Sequence, residues 1–523
     1  LSKKASFSGG SLTSVIVFKL VTLSLALNLA LNLAMPFALA ADGDPEQSAQ
    51  SQELIAASAS DDKVATGTRV LRASVSNVEE INRQIILKEI ELERYSVSFR
   101  KYNNVQGRWR GWRYFLSQEA NSALTASGLT VQLIDRERVI NRANVFKLND
   151  KGELKYVQNS TNRVTQERGL VLQMIGQYIG ATGSAIELGI NYYHGYKARK
   201  AGYGPAHGIA HVLKLKGEIE ALFVERAKLI ESGNLDGDDL AIARAEELVL
   251  RDITDMGLQE YATFHASARR FRAFQDSLYR LDIAKNITGA TGNLVNVVAT
   301  HNRTPRLSGP AGVLTTTSGA LIMLTPLMAR GVGKIVELRH KRALKPILAG
   351  TSPHSVDQLD EHRAALAALE SKFRGTDVSQ NTPANSNKSL TLLAAYDKES
   401  AQRRKQLALA TREIRAGTRS ATQNIGTGFA VGGSKIALGV TNMIAGWKYS
   451  KFAHKSNSVV AAGTISYMSG SYLAVVDNLR LRVVDELNRK RLGKRGDLPM
   501  QVLGDKLKSL DQLEASLKIC ADK

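Results

Sequence analysis

The sequence predicts an elongated all-α bundle built from three Gly/Ala-rich helical hairpins, and three observations predict it. Three apolar segments rich in Gly, Ala, Ser and Thr recur along the chain, each followed by a short basic stretch and a second apolar arm. The segments between them carry apolar residues at helical spacing. Only residues 144–158 alternate as strands do: Phe146, Leu148, Leu154 and Tyr156 flank Asn149-Asp150-Lys151-Gly152, a small β-hairpin pattern.

The elements follow in chain order. Residues 1–40 read as a signal peptide. Lys3, Lys4 and Lys19 precede an apolar run, Pro36 breaks it, and Ala38-Leu39-Ala40 offers a small-x-small cleavage pattern before Ala41. An exported protein of the bacterial periplasm or cell envelope is the expectation. Residues 41–66, small and polar, read as a disordered lead. Region 67–160 opens with a helix whose Val78, Ile81, Ile85, Leu92, Tyr95 and Phe99 form one apolar face that needs a partner helix. Next comes Arg108-Trp109-Arg110-Gly111-Trp112-Arg113, with two of the three Trp of the chain. On a helix, Trp109, Trp112 and Phe115 share a face. The plain reading is amphipathic packing. The functional one is contact between Arg108, Trp109, Arg110, Trp112 and Arg113 and an anionic surface.

Region 161–350 holds units one and two, and region 389–490 holds unit three. Units one and two share Gly-Ala-Thr-Gly, at 180–183 and 289–292, and unit three has Gly432 and Gly433 in the equivalent place. Glycine in a helix interior costs about 1 kcal/mol relative to Ala. Close helix contacts would offset that cost, so Gly176, Gly180, Gly183, Gly292, Gly428 and Gly432 are the expected close-packing positions inside each hairpin. The hairpin tips are basic: Lys197, Arg199 and Lys200 in unit one, Arg303 and Arg306 in unit two, Lys448 and Lys451 in unit three. Residues 351–388 supply a connecting helix and a polar linker (375–388). Residues 491–523 end the chain in an amphipathic helix carrying Leu503, Leu507, Leu510, Leu513 and Leu517.

Seventy Lys and Arg against 49 Asp and Glu give a formal net charge of +21, so an anionic neighbour is expected: a membrane surface or an envelope polymer, with nucleic acid among the candidates. Homo-oligomers are compatible with the sequence. The one cysteine, Cys520, allows no internal disulfide. No cofactor or metal site is expected. His207 and His211 lack a third ligand and a neighbouring Glu. The Gly-rich run 426–435 lacks the Gly-Lys-Ser/Thr ending of a phosphate loop. Asn234, Asp236 and Asp238 mimic a calcium loop but put Asp239 where Gly is needed and Ala245 where Glu is needed.

A non-enzymatic envelope protein whose basic tips contact an anionic surface is the first functional expectation. The alternative is membrane insertion: 308–329 and 456–476 are uncharged over 22 and 21 residues, and a span needs about 20. That architecture resembles helical pore-forming toxins in general outline only, which speaks to shape and not to function. An enzyme of another kind is the third.

Overall fold

The computed structural model describes residues 67–103, 108–141, 146–148, 154–156, 161–232, 235, 237–352, 356–373, 425–496 and 498–519. The expected signal peptide (1–40), the lead (41–66) and the linker (375–388) lie outside the described residues. What is described is almost entirely helical. Among the described residues, five helices precede the second tip: α1 (Gly67–Asn103), α2 (Arg108–Asn141), α3 (Arg163–Lys200), α4 (Pro205–Ser232) and α5 (Gly237–His301). After it come α6 (Ser308–Ala343), the one-turn α7 (Lys345–Leu348), α8 (Val356–Phe373), α9 (425–447), α10 (Ala453–Lys494) and α11 (Pro499–Ile519). Two three-residue strands, Phe146–Leu148 and Leu154–Tyr156, pair antiparallel.

Local chemistry sets the helix ends. Asn162 caps α3 by accepting from the Val164 N–H at 3.0 Å. Gly202 (φ +81°) ends α3 in the left-handed region, and Pro205 starts α4 where its missing N–H costs nothing. Arg303 (φ 52°) turns the chain between α5 and α6.

Two bodies share α5, which at 65 residues is about 98 Å long. The first has an ordinary apolar core. Ile81, Ile85, Leu92 and Phe99 of α1 pack with Val212, Leu215, Ile219 and Phe223 of α4 and with Val249, Leu250 and Leu258 of α5. Ile347, Leu359, Leu366, Leu510 and Leu517 close it from α7, α8 and α11. Arg226 of α4 is fully buried in this body. It donates to Asn82 Oδ1 (2.6 Å) and the Ala243 carbonyl (2.6 Å) and pairs with Glu247 (3.2 Å) and Glu246 (3.4 Å). His265 is equally buried. It stacks on Phe99, with ring centroids 5.2 Å apart, and burial pushes its pKa down to about 3.

Unit one departs from the expected hairpin. Its arms, α3 and α4, do not pack along each other: α3 lies against α2 and α5, and α4 against α1. The reason is compositional. The outward faces of α3 and α4 differ in kind, α3 carrying glycines and amides that fit α2 and α5, and α4 a Leu/Ile/Val/Phe stripe that fits α1.

Candidate functional site

The second body is a closed circuit of six antiparallel helices in sequence order: α2, α3, the C-terminal half of α5, α6, α9 and α10, with α10 returning to α2. Small residues hold the circuit together. A Cβ on Gly128 or Gly169 would lie 2.3 Å or 2.6 Å from the other's carbonyl oxygen, which joins α2 to α3. Gly292 lies against Ala311, Leu314 and Thr315, joining α5 to α6. Gly312 faces Gly439, and Gly319 faces Gly432, joining α6 to α9. Gly463 and Gly470 lie against Thr441 and Ser434, joining α9 to α10. Arg136 reaches Asn457 of α10 at 2.9 Å, and Arg482 lies over the Trp112 ring, closing α10 on α2.

The interior of the circuit is rich in polar side chains, beside two small apolar clusters, one of Leu129, Leu438, Ala445, Val460 and Tyr467 and one of Val295, Ala311 and Leu314. Thr125 and Gln132 of α2, Gln166, Gln173, Gln177, Ser184 and Asn191 of α3, and Asn286 and Asn293 of α5 are all buried. So are Thr315 and Ser318 of α6, Lys435 and Asn442 of α9, and Thr464 and Ser471 of α10. Amides bond across it. Asn121 Nδ2 donates to Asn286 Oδ1 (3.2 Å), Asn293 Nδ2 to Gln177 Oε1 (3.3 Å), Gln118 Nε2 to Ser184 Oγ (3.1 Å), and Gln166 Nε2 to Asp135 Oδ2 (2.9 Å). Two interior ion pairs lie towards one end, Glu187 with Arg113 (3.0 Å) and Asp282 with Lys285 (2.5 Å) and the Tyr114 hydroxyl, while Asp135 is buried towards the other end and Lys435 between them.

The exterior is apolar. Ile175, Tyr178, Ile179 and Ile186 of α3 are exposed, as are Val313, Leu324, Leu327 and Met328 of α6. Phe429, Val440 and Ile444 of α9 and Ile465, Tyr472, Leu473 and Val476 of α10 continue the surface. Pro305–Ala343 and Ala453–Lys494 are each long and apolar enough to cross a bilayer, and only 39% and 44% of their most apolar windows are buried in the protein. Exposed hydroxyls in this zone are satisfied by their own helices: Thr317 donates to the Val313 carbonyl (2.9 Å) and Ser469 to the Ile465 carbonyl (3.0 Å).

Charge along the circuit is layered. Residues 120–134 of α2, 169–186 of α3, 286–300 of α5, 308–329 of α6 and 456–476 of α10 contain no Asp, Glu, Lys or Arg, and α9 contains only Lys435. At 1.5 Å per residue these stretches are about 22–33 Å long. A hydrocarbon core is about 30 Å thick.

The basic tips divide into two groups. Arg303, Arg306, Lys448 and Lys451 are exposed at one end, where Gly309 and Gly446 bring the second and third tips into contact. Arg163 and His301 bond to each other at the same end. Lys197, Arg199 and Lys200 are also exposed, but α3 runs away from that end for its 38 residues, about 57 Å. The three tips therefore do not share one direction. Of the Arg/Trp segment, Arg108, Trp109 and Arg110 have side chains outside the described residues. Trp112 packs edge-on against Phe115 (5.7 Å) and under Arg482, and Arg113 pairs with Glu187. Both therefore take part in packing. Gly176, Gly180 and Gly183 face α2 residues Asn121, Leu124 and Ser117, not the second arm of their own unit; Gly428 and Gly432 face α6.

Sequence reasoning passed over the amide lining, although its signal is readable. Gln166, Gln173, Gln177, Ser184 and Asn191 repeat every four or seven residues, and Asn286/Asn293 and Lys435/Asn442 repeat every seven. Such spacing puts each set on one helix face. Among the described residues no group of three or more His, Cys, Asp or Glu side chains is placed to hold a metal. Comparison with protein-family models, with characterised proteins and with solved structures gives no match. The functional reading therefore rests on this chain's own geometry.

Proposed function

We propose that the protein is a membrane-embedded helical bundle of the cell envelope, in which the six-helix circuit sits in the bilayer and the Ile/Leu-cored body projects from it. In this reading the α5–α6 and α9–α10 pairs are membrane-spanning hairpins. Their tips at 302–307 and 448–452 place Arg303, Arg306, Lys448 and Lys451 among anionic headgroups. The observation that carries the reading is the distribution of polarity: a stripe of amides and hydroxyls is buried between the helices beside two small apolar clusters, and Ile, Leu, Val and Tyr face outward across a layer of bilayer thickness whose one charge is Lys435. An exposed apolar face of this kind marks a surface that meets lipid or another partner. In lipid it is solvated, and helices with small residues at their contacts associate by close packing and interhelical hydrogen bonds. Aromatic residues near both ends, Trp447 and Phe452 at one and Tyr192, Tyr193 and Tyr196 towards the other, suit the interfacial layers.

Fractionation of expressing cells tests this. The chain should stay in the membrane pellet through high-salt and alkaline carbonate washes. Release by salt alone would mean that the basic tips hold it to an anionic surface without insertion. Recovery in the soluble fraction before any wash would overturn both readings.

A further inference from the structure

Lys435 of α9 stands inside the circuit, 3% exposed, with its Nζ 5.5 Å from the centroid of the Tyr467 ring. A Cβ on Gly289 would lie 2.7 Å from Lys435 Nζ and 3.0 Å from both Gln177 Nε2 and Oε1, so the ammonium and this amide crowd the same bare stretch of α5 backbone. Gln177 Oε1 accepts from Asn293 Nδ2. Gln177 Nε2 is buried and has no acceptor among the described residues. One helical turn away, Asn286 repeats the arrangement: its Oδ1 accepts from Asn121, and its buried Nδ2 has no acceptor. Asn286 and Asn121 both close on the bare Cα of Gly180.

The local charge has the same sign. Asp282, the nearby interior carboxylate of α5, is held by Lys285 at 2.5 Å and receives the Tyr114 hydroxyl. Lys285 is itself close enough to repel Lys435. Lys435 is thus an interior ammonium with no carboxylate partner among the described residues, flanked by two buried amide N–H donors that have no acceptor there. Burying an uncompensated ammonium costs several kcal/mol, and unsatisfied buried donors add to that cost. A bound anion relieves both.

We propose that the centre of the six-helix circuit is a binding site for a small monovalent inorganic anion of the halide or nitrate class, held by Lys435 Nζ and Gln177 Nε2 with Asn286 Nδ2 on the adjoining turn. One ammonium without a carboxylate partner matches a monovalent ion, and amide N–H groups with an ammonium are a donor set that accommodates an ion of one or a few atoms. The proposal rests on the residues of the site and not on where the bundle resides, so it is measurable in detergent solution.

The test uses the purified full chain and bromide as the probe. Thermal unfolding is followed at constant ionic strength while sodium gluconate, whose anion is too bulky for the site, is replaced by sodium bromide. The wild type should gain stability saturably with bromide, and the ³⁵Cl resonance of added chloride should be broadened by the protein and sharpen when bromide competes. K435M should lose both responses. Should K435M fail to fold, Q177E serves. It places a carboxylate beside Lys435, so the protein should be more stable in gluconate and lose its response to bromide. A wild type indifferent to bromide would overturn the site, as would equal bromide responses in wild type, K435M and Q177E. A salt-released chain that still responds to bromide would refute the bilayer reading and leave the anion site standing.

Discussion

Adding a single methyl group at Gly432, and at its neighbour Gly433, tests the packing of the circuit. On Gly432 a Cβ would stand 2.4 Å from Met323 Cγ, 2.7 Å from the Gly319 carbonyl oxygen and 2.9 Å from the Met323 nitrogen. Two of these neighbours are backbone, so no rotamer change clears the contact; α6 and α9 must move apart. Gly433 has nothing within 4 Å. Overpacking of a tight contact costs about 1–3 kcal/mol, and Gly to Ala in an open helix position gains up to about 1 kcal/mol. G432A and G433A should therefore move thermal stability in opposite directions, separated by roughly 1–4 kcal/mol on those two figures. G319A should behave like G432A, since its Cβ would meet the Gly432 carbonyl oxygen and the Ile436 nitrogen, each at 2.8 Å. Circular dichroism melts of the three variants in one mild detergent are sufficient. If G432A and G433A both stabilise, or shift the midpoint equally, α6 and α9 are not in backbone contact there.

Other expectations concern both bodies. R226A should destabilise the first body by about 3–5 kcal/mol, because it leaves Glu246, Glu247 and Asn82 with a lost buried partner. R226M, which keeps the volume, should cost no more than R226A, and a denaturant melt of both checks this. His265 should make that body acid-sensitive. Its folded pKa of about 3 lies below the ordinary 6.5, so the unfolded chain binds the extra proton, and stability falls as pH drops from about 6.5 towards 3, by up to about 1.4 kcal/mol per pH unit. H265L should flatten that part of the pH profile; an unchanged slope would place the acid sensitivity elsewhere. Reversing Arg303, Arg306, Lys448 and Lys451 to Glu should weaken association with anionic vesicles at low salt, each residue contributing about 1 kcal/mol near such a surface. Reversing Lys197, Arg199 and Lys200, at the far end, should have a separate and smaller effect on that association.

Much of the helical character was legible in the sequence. Ile81, Ile85, Leu92 and Phe99 announce a helix with one apolar face, and all four are buried against α4 and α5. Many of the glycines mark close contacts, as at Gly128, Gly169, Gly319 and Gly432, although Gly189, Gly331 and Gly433 sit in helices with nothing within 4 Å. Their partners were not legible. Gly180 meets Asn121 and Asn286, and Gly432 meets Met323, across separations that no local spacing encodes. Assigning each glycine face to the other arm of its own unit follows from chain proximity, and α3 prefers α2 because Gly128 and Gly169 fit each other. The tips were legible as basic turns, but their placement depends on the direction in which each helix enters the circuit. The polar interior was written as a four- and seven-residue amide stripe. It escaped notice because each helix also carries an apolar face, and only the closed circuit decides which face is inside.

Accessibility of a spin label along the circuit tests the central claim most directly. After C520S, single cysteines replace Ile179, Leu324 and Ile465, which face outward, and Lys448, at a tip. In liposomes, the account predicts that labels at 179, 324 and 465 collide freely with oxygen and are shielded from a water-soluble nickel chelate, while the label at 448 shows the reverse. Free access of the chelate to 179, 324 and 465 would place the apolar exterior in water and contradict the account.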